Sequence, residues 1–496
     1  MAVSLSDGSI LKKTVRGAGW TVAWRLATRL LGTVNTLILA RLLLPGDFGL
    51  VALATGFAQT ILAFASLGIT EAVIREPAPT RALYDTAFTL NIVRGLVTSL
   101  AIVLCAYPVA AFFSDARLAP VLLALAACYF VSSAENIGTT EYFRDFAFDK
   151  EFTLRLLPRL AGVIATIAAG VAWRNHWALV AGIATGQVLG TAMGYVMHPF
   201  RPRLSLRAWR QLAAFSFWSW AIAMAVMVRD RADTFVVGRF LGLPQVGVYT
   251  VGCEIATMVT YELAAPVGRA SFAGFAAESR AGQDTAASFL RILASVTLIV
   301  LPAGAGVSLV AGPLVTLLFG AAWLPAAEIV RILGFVGVGS ALGTIVSSLL
   351  TVHGILRPSF GILVLSMAVR GVGALIMVPF LGLLGAALAQ ALASIIENTA
   401  LLAVAFQRLR ITAVDFLALI WRGLAATAAM AALLLGTGLG TGTTDPVWTL
   451  LPAVTAGAAI YGFVLLGFWL ASGRPDGAEA DLLALARRVT GRGRSQ

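Results

Sequence analysis

Residues 35–50 read NTLILARLLLPGDFGL, and residues 233–249 read DTFVVGRFLGLPQVGVY. Set at an offset of 198, and extended back to position 20, they share Trp20/Trp218, Ala23/Ala221, Ala27/Ala225, Thr36/Thr234, Arg41/Arg239, Leu43/Leu241 and Gly49/Gly247. These seven identities in thirty positions exceed the roughly two or three that composition alone would supply. The register also holds through a Gly- and Pro-containing connection, where apolar bias explains nothing. The chain therefore contains an internal repeat.

What is repeated is a membrane helix pair and its connection. Of 496 residues, 59% are hydrophobic and only 12% charged, and mean hydropathy is +0.88. A water-facing surface needs about twice that charge fraction. Stretches near the roughly 20 apolar residues that cross a bilayer recur at 17–40, 49–69, 88–110, 118–137, 157–173, 177–197, 214–238, 247–266, 287–310, 325–350, 359–380, 383–406, 414–437 and 447–471. The expected fold is all-α and integral to the membrane, with about fourteen transmembrane helices and no soluble domain in the short connections.

The net charge of +12 would suggest nucleic acid in a soluble chain; here its placement gives topology. With a cytoplasmic N-terminus, cytoplasmic segments hold 22 Lys and Arg, and the opposite loops hold four: Arg41, Arg117, Arg174 and Arg239. That asymmetry is a strong positive-inside signal, so both termini are expected in the cytoplasm. Six spans separate the two copies of the repeat, an even number, which gives them the same orientation. The expected plan is two parallel six-helix lobes related by an axis along the membrane normal, with a substrate site between repeats. The divisions are a cytoplasmic segment 1–16, a first lobe 17–200, a basic inter-lobe loop 201–213, a second lobe 214–406, an appended pair 407–471 and a cytoplasmic tail 472–496.

Charge at membrane depth costs about 2.5–3.5 kcal/mol per residue. Residues near span ends escape by snorkelling, which covers Arg159, Arg291, Arg331 and Arg422. It does not cover Arg25 and Arg29 in span one, Arg229, Asp230, Arg231 and Asp233 in span seven, or Arg370 in span eleven. Arg94, Glu254, Glu262 and Glu397 are intermediate. Arg25 and Arg29 share a helix face and have no acid on their own span. Arg229 and Asp233, four apart, can pair within their helix. The alternative for span seven is an ion-pair network that only fixes packing. A water-filled cavity with cationic walls would take an anion, and the guanidinium fork suits phosphate. Arg25, Arg29, Arg94, Arg229, Arg231 and Arg370 are the candidate substrate-binding residues. Asp230, Asp233 and Glu254 are candidates for carrying a coupling ion. The three His and three Cys fit no metal spacing, and no cofactor or catalytic set is expected.

Gly182, Gly186, Gly190 and Gly194 form a bare stripe for close helix contact, and Pro302 should free a carbonyl inside span nine. EYFRDFAFDKEF at 141–152 reads as an interfacial helix. The Arg201–Arg210 stretch between the lobes reads as an orientation signal that also attracts anionic lipid. GTGLGTGT at 436–443 lacks the Lys-Ser/Thr of a phosphate loop and reads as an outer connector. AEADLLALARRV near the C-terminus reads as a surface helix.

ILARLLLPGDFGLVALA in the first connection resembles the bacterial polysaccharide transporter family, as do YFRDFAF at 142–148, WALVAGIATGQ at 177–187, PFRPRLS at 199–205, DTFVVGRFLGLPQVGVY at 233–249 and LLFGAAWLPAAEIVRIL at 317–333. This is the family of Wzx-type oligosaccharide flippases, in the MOP superfamily beside the MATE exporters, with the colanic-acid and succinoglycan branch most alike. The resemblance covers roughly residues 10–410. It implies a V-shaped helical bundle in the bacterial inner membrane. Such a bundle moves a polyprenyl-diphosphate-linked oligosaccharide to the periplasmic leaflet, with membrane lipids and other glycan assembly proteins as partners. It also implies functional arginines in the first helix, the kind of position that Arg25 and Arg29 occupy. Three alternatives are weighed against it. A MATE-like drug antiporter would favour an acid-dominated cavity. A polytopic glycan polymerase or ligase would carry a long catalytic outer loop, which this sequence lacks. A non-transporting scaffold of a glycan assembly complex has no distinguishing sequence feature.

Overall fold

The computed structural model describes residues 27–65, 69, 73, 74, 76, 79–145, 147–209, 217–439, 446–475 and 477–480. Each expected span falls on a helix. The helices are α1 (27–42), α2 (Pro45–Phe64), α3 (Arg81–Phe112), α4 (Leu118–Ser133), α5 (Phe148–Trp173), α6 (Trp177–Met197) and α7 (Phe217–Leu241). They continue as α8 (Leu243–Arg280), α9 (Ala286–Leu309), α10 (Ala326–Val352), α11 (Leu356–Leu381), α12 (Leu383–Leu409), α13 (Ala413–Thr437) and α14 (Pro446–Ala471). Among the described residues, ten helices are long and apolar enough to cross a membrane, and α4 is apolar but shorter. The chain is a multi-pass membrane protein.

The helices gather in two compact units, Met1–Met227 with Gly242–Gly247, and Val228–Leu241 with Val248–Gln496. In the first unit α2 packs on α4, α3 on α4, α4 on α6, and α5 on α6. The glycine stripe of α6 explains the last pairing. A Cβ on Gly182 would strike the Thr166 side chain, one on Gly186 would lie 3.6 Å from the Pro158 carbonyl oxygen, and one on Gly190 would rest on the Pro158 ring. Backbones meet because nothing stands between them.

The repeat is visible in one local contact of this unit. A Cβ on Gly49 would collide with the Leu243 carbonyl, and one on Gly247 with the Pro45 carbonyl. A Cβ on Gly46 would lie 3.6 Å from the Pro244 ring. At the offset of 198, Pro45 corresponds to Leu243, Gly46 to Pro244 and Gly49 to Gly247, so every contact is reciprocated. Reciprocity of this kind is the mark of a local two-fold.

The segments expected on one side of the membrane lie at one end of this unit. Pro45–Asp47, Asp115–Arg117, His176 and Pro244 cluster at that end, where the His176 amide donates to Asp47 at 3.1 Å. At the other end, residues 198–208 are strapped to α3 by backbone amides. Arg203 N–H donates to Asp85, Ser205 N–H to Thr89 and Ala208 N–H to Thr86. Asn136, fully buried, donates to the carbonyls of Gly194 and Phe200. The 141–152 segment is not one interfacial helix. A short helix ends at Arg144, and Phe148 starts α5, with Asp149 and Glu151 placed favourably at its N-terminal dipole.

In the second unit α10 packs on α9 and α12, and α11 on α12. The appended α13 lies on α9, and α14 on α13. Pro302 sits inside α9. The carbonyl it leaves without an amide, that of Leu298, accepts from the Tyr461 hydroxyl of α14 at 2.5 Å. Two readings of the C-terminal region are corrected. Arg422 does not snorkel; it is buried in α13 against Glu479, with Nε to Oε1 at 2.7 Å. The start of the expected surface helix therefore turns inward. Ala478 joins the apolar core of Phe289, Phe406, Phe416 and Ile420. Gly473, with a left-handed φ of 79°, helps reverse the chain after α14. Of the 436–443 connector, Gly438 caps α13 in the left-handed region, and 440–443 lie outside the described residues.

Candidate functional site

The polar residues of α7 cannot stay in an apolar bundle without partners, and the second unit supplies them from three other helices. Asp233 is wholly buried. Its Oδ2 accepts from Arg370 Nε at 3.0 Å and Nη2 at 2.6 Å, and from the Tyr249 hydroxyl, while Oδ1 accepts from the Thr234 amide at 2.8 Å. Four donors on one carboxylate is close to its full capacity. The Tyr249 oxygen also lies 2.8 Å from Gln390 Oε1. One hydroxyl proton serves one acceptor, so the Gln390 amide turned to donate its N–H satisfies both groups.

A second pair stands beside the first. Arg229 donates from Nη1 to Glu397 Oε1 at 2.6 Å and from Nε to Asp230 at 3.0 Å. Glu397 Oε2 accepts from Ser366 at 2.6 Å. Asp230, half exposed, bridges the pairs, lying 3.9 Å from Arg370. The pairing within α7 expected between Arg229 and Asp233 is therefore replaced by two pairings between helices. A residue pair at i, i+4 is available to every helix; here Arg370 and Glu397 reach the same groups in deeper surroundings and satisfy them more fully.

The structure thus brings Arg229, Asp230, Asp233 and Arg370 together and adds Tyr249, Ser366, Gln390 and Glu397. Glu254 is exposed on α8 and, among the described residues, makes no ion pair with this group. Arg231 is half buried on the same turn of α7. Glu397 had a signal in the sequence, an acid inside an apolar span. Tyr249, Ser366 and Gln390 had none, because neutral polar residues are common in membrane helices.

In the first unit Arg29 on α1 and Arg94 on α3 are each half buried, and Arg25 lies outside the described residues. Arg159 Nη2 stands 3.6 Å from where a Cβ of Gly32 would be. Gly32 follows Arg29 by three residues, so the Arg159 guanidinium lies against the α1 helix that carries Arg29. Reading Arg159 as a snorkelling end residue missed this, since only the fold shows that Gly32 leaves room for it.

This helical fold, with ion pairs buried at membrane depth, is that of a membrane transporter class, and comparison with known proteins agrees. Residues 38–328 match the family described as polysaccharide biosynthesis protein, and the chain belongs to that family. It is 24% identical over 346 residues to the lipopolysaccharide biosynthesis protein WzxC of Escherichia coli (strain K12), covering 69% of this chain and 70% of that one. It is 22% identical over 314 residues to the succinoglycan biosynthesis transport protein ExoT of Rhizobium meliloti (strain 1021), covering 63% and 64%. In fold it is similar to the lipid II flippase MurJ in an inward closed conformation, with a TM-score of 0.73, 13% identity, and coverage of 91% and 100%. An inward-facing multidrug MATE transporter of the MOP superfamily gives a TM-score of 0.60 at 16% identity, covering 77% and 94%.

Proposed function

We propose that this protein is a flippase, not an enzyme. It moves a polyprenyl-diphosphate-linked oligosaccharide from the cytoplasmic to the periplasmic leaflet of the bacterial inner membrane, by alternating access coupled to an ion gradient. The observation that carries the proposal is membership in the polysaccharide biosynthesis family on a transporter fold with arginines at membrane depth. The diphosphate is the part of such a lipid that loses most on leaving water, and guanidinium forks replace its hydration. Arg25, Arg29 and Arg94 are assigned to bind it. Arg229 and Arg370 already hold carboxylates in the second unit, and with Arg231 they join the anion path when those pairs open. The exposed Asp230 is the best placed of the acids to carry the coupling ion, ahead of the sequestered Asp233 and of Glu254, which stands apart. Glycan assembly proteins of the same pathway are the expected partners.

The test is complementation of a strain lacking the protein. Loss should halt glycan export and leave the lipid-linked repeat unit in the cytoplasmic leaflet. Accumulation of a small cationic compound instead, with glycan export intact, would favour a MATE-like antiporter. For orientation, reporters fused at Gln211 and Gln496 should read cytoplasm and one at Asp445 periplasm. All three positions lie outside the described residues.

A further inference from the structure

At the outer end of the first unit, one carboxylate holds two elements. Asp47 stands in the first turn of α2. Its Oδ2 accepts from the Leu44 amide at 3.2 Å, closing the cap of its own helix. Its Oδ1 accepts from the His176 amide at 3.1 Å and lies 3.5 Å from His176 Nδ1. His176 belongs to the turn between α5 and α6. Both side chains are nearly enclosed, at 12% and 13% exposure, and the His176 ring packs beside Trp177 at 5.6 Å between centroids.

The charged groups that face His176 come from two elements. Asp47 is on α2, and the Asp115–Arg117 pair, 2.7 Å apart, is on the turn between α3 and α4. Arg117 holds the Asp115 carboxyl below its ordinary value, with a smaller contribution from His176. Arg174, two residues before His176, is exposed. Two carboxylates against one guanidinium leave a single negative charge facing the ring. The same first turn of α2 meets residues 243–247 on its other side, through Pro45, Gly46 and Gly49. Gly49 meets the Leu243 backbone, Pro45 meets the Gly247 backbone and Gly46 meets the Pro244 ring, so these contacts shift whenever this turn shifts.

We propose that His176 and Asp47 form a proton-sensitive clamp. When the imidazole is charged, it fixes the first turn of α2 and holds the crossing of residues 45–49 on 243–247 shut; when neutral, it lets the crossing loosen. On the flippase reading, this makes outer closure respond to external pH. The clamp itself is defined by contacts within one unit and does not depend on what is carried. The sign follows from the charges. Protonation adds an imidazolium–carboxylate attraction to a hydrogen bond that exists in both states, so closure strengthens as pH falls.

The test reads closure without transport. In a background lacking Cys105, Cys128 and Cys253, the double variant Gly46→Cys/Pro244→Cys is oxidised in membranes at pH 5.5 and pH 8. Thiol chemistry itself varies with pH, so each yield is divided by the yield with His176→Gln added. The ratio should rise about two- to fivefold at the lower pH, the scale of an attraction of about 0.5–1 kcal/mol. His176→Arg, cationic throughout, should give a high ratio at both. Equal ratios at the two pH values would overturn the proposal. If the cysteine variant does not fold, hydrogen exchange at the Leu44 and His176 amides of the full chain gives the same comparison. Protection gained at pH 5.5 over His176→Gln supports the clamp, and none removes it. Glycan export that continues in a strain lacking the protein, with this pH response intact in the purified chain, would count against the flippase reading and not against the clamp.

Discussion

Helices α1 and α7 begin as copies, matched from Trp20/Trp218 to Gly49/Gly247, yet they treat charge in opposite ways. Span seven carries its own acids, and Asp233 is buried under four donors. At the equivalent position span one has Asn35, and from residue 17 to 40 it has arginines but no acid. One copy has become a neutralised joint among α7, α8, α11 and α12. The other keeps its cationic residues without a carboxylate of their own helix. Duplication supplies the same scaffold twice, and Asn35 and Gly32, standing where span seven has Asp233 and Asp230, leave the first copy without the acids that pair the second.

The comparison breaks first at span one. Arg25→Ala with Arg29→Ala should abolish glycan export while the protein still inserts and accumulates. Arg→Lys should retain part of the function, because an ammonium cannot make the two-point contact. Export per molecule at the normal rate in the double alanine variant would end the anion-binding assignment.

Span seven should fail differently. Arg370→Ala strands Asp233 and should cost about 3–5 kcal/mol, read as a fall in thermal stability in detergent and in membrane-inserted protein. Asp233→Leu with Arg370→Met, an apolar replacement of both, should recover most of that stability. Export restored along with stability would mark the pair as structural; stability without export would give it a part in transport.

A smaller effect is expected where the copies touch. Gly49→Ala and Gly247→Ala each drive a methyl into a carbonyl and should cost about 1–3 kcal/mol. By the reciprocity of the contact the two losses should be similar. Unequal losses, measured by the same melting experiment, would show that the local two-fold is only approximate in its energetics.

The smallest concerns the appended pair, which has no counterpart in the repeat. Tyr461→Phe leaves the Leu298 carbonyl without its donor and should cost about 1 kcal/mol. Pro302→Ala restores an amide to that carbonyl, so the Tyr461 effect should shrink in its presence. A double-mutant cycle with no coupling would show that the hydroxyl does not serve the carbonyl freed by Pro302.

Much of the fold was legible because a membrane imposes simple demands. Apolar length located the helices to within a few residues for α6 and α9, and less well for α8, whose polar end runs on to Arg280 beyond the apolar stretch. The glycine stripe of α6 was read as a packing face and is one. The site was legible only as a list of charges. Which partner each took was not, because an i, i+4 rule sees one helix and Asp233 is satisfied from three. Arg422 and Glu479 were both visible in the sequence, 57 positions apart, yet nothing local connected them.

By itself, then, the sequence determined the class of environment, the positions of the spans and the duplication. All of these follow from composition and periodicity along the chain, and the bilayer reads them one segment at a time. Only the tertiary structure decided which charges are neutralised, which glycines meet, and that Asp47 reaches His176. Those outcomes depend on distances between residues that are remote in the chain, and a buried charge takes whichever partner the packing brings within hydrogen-bond reach.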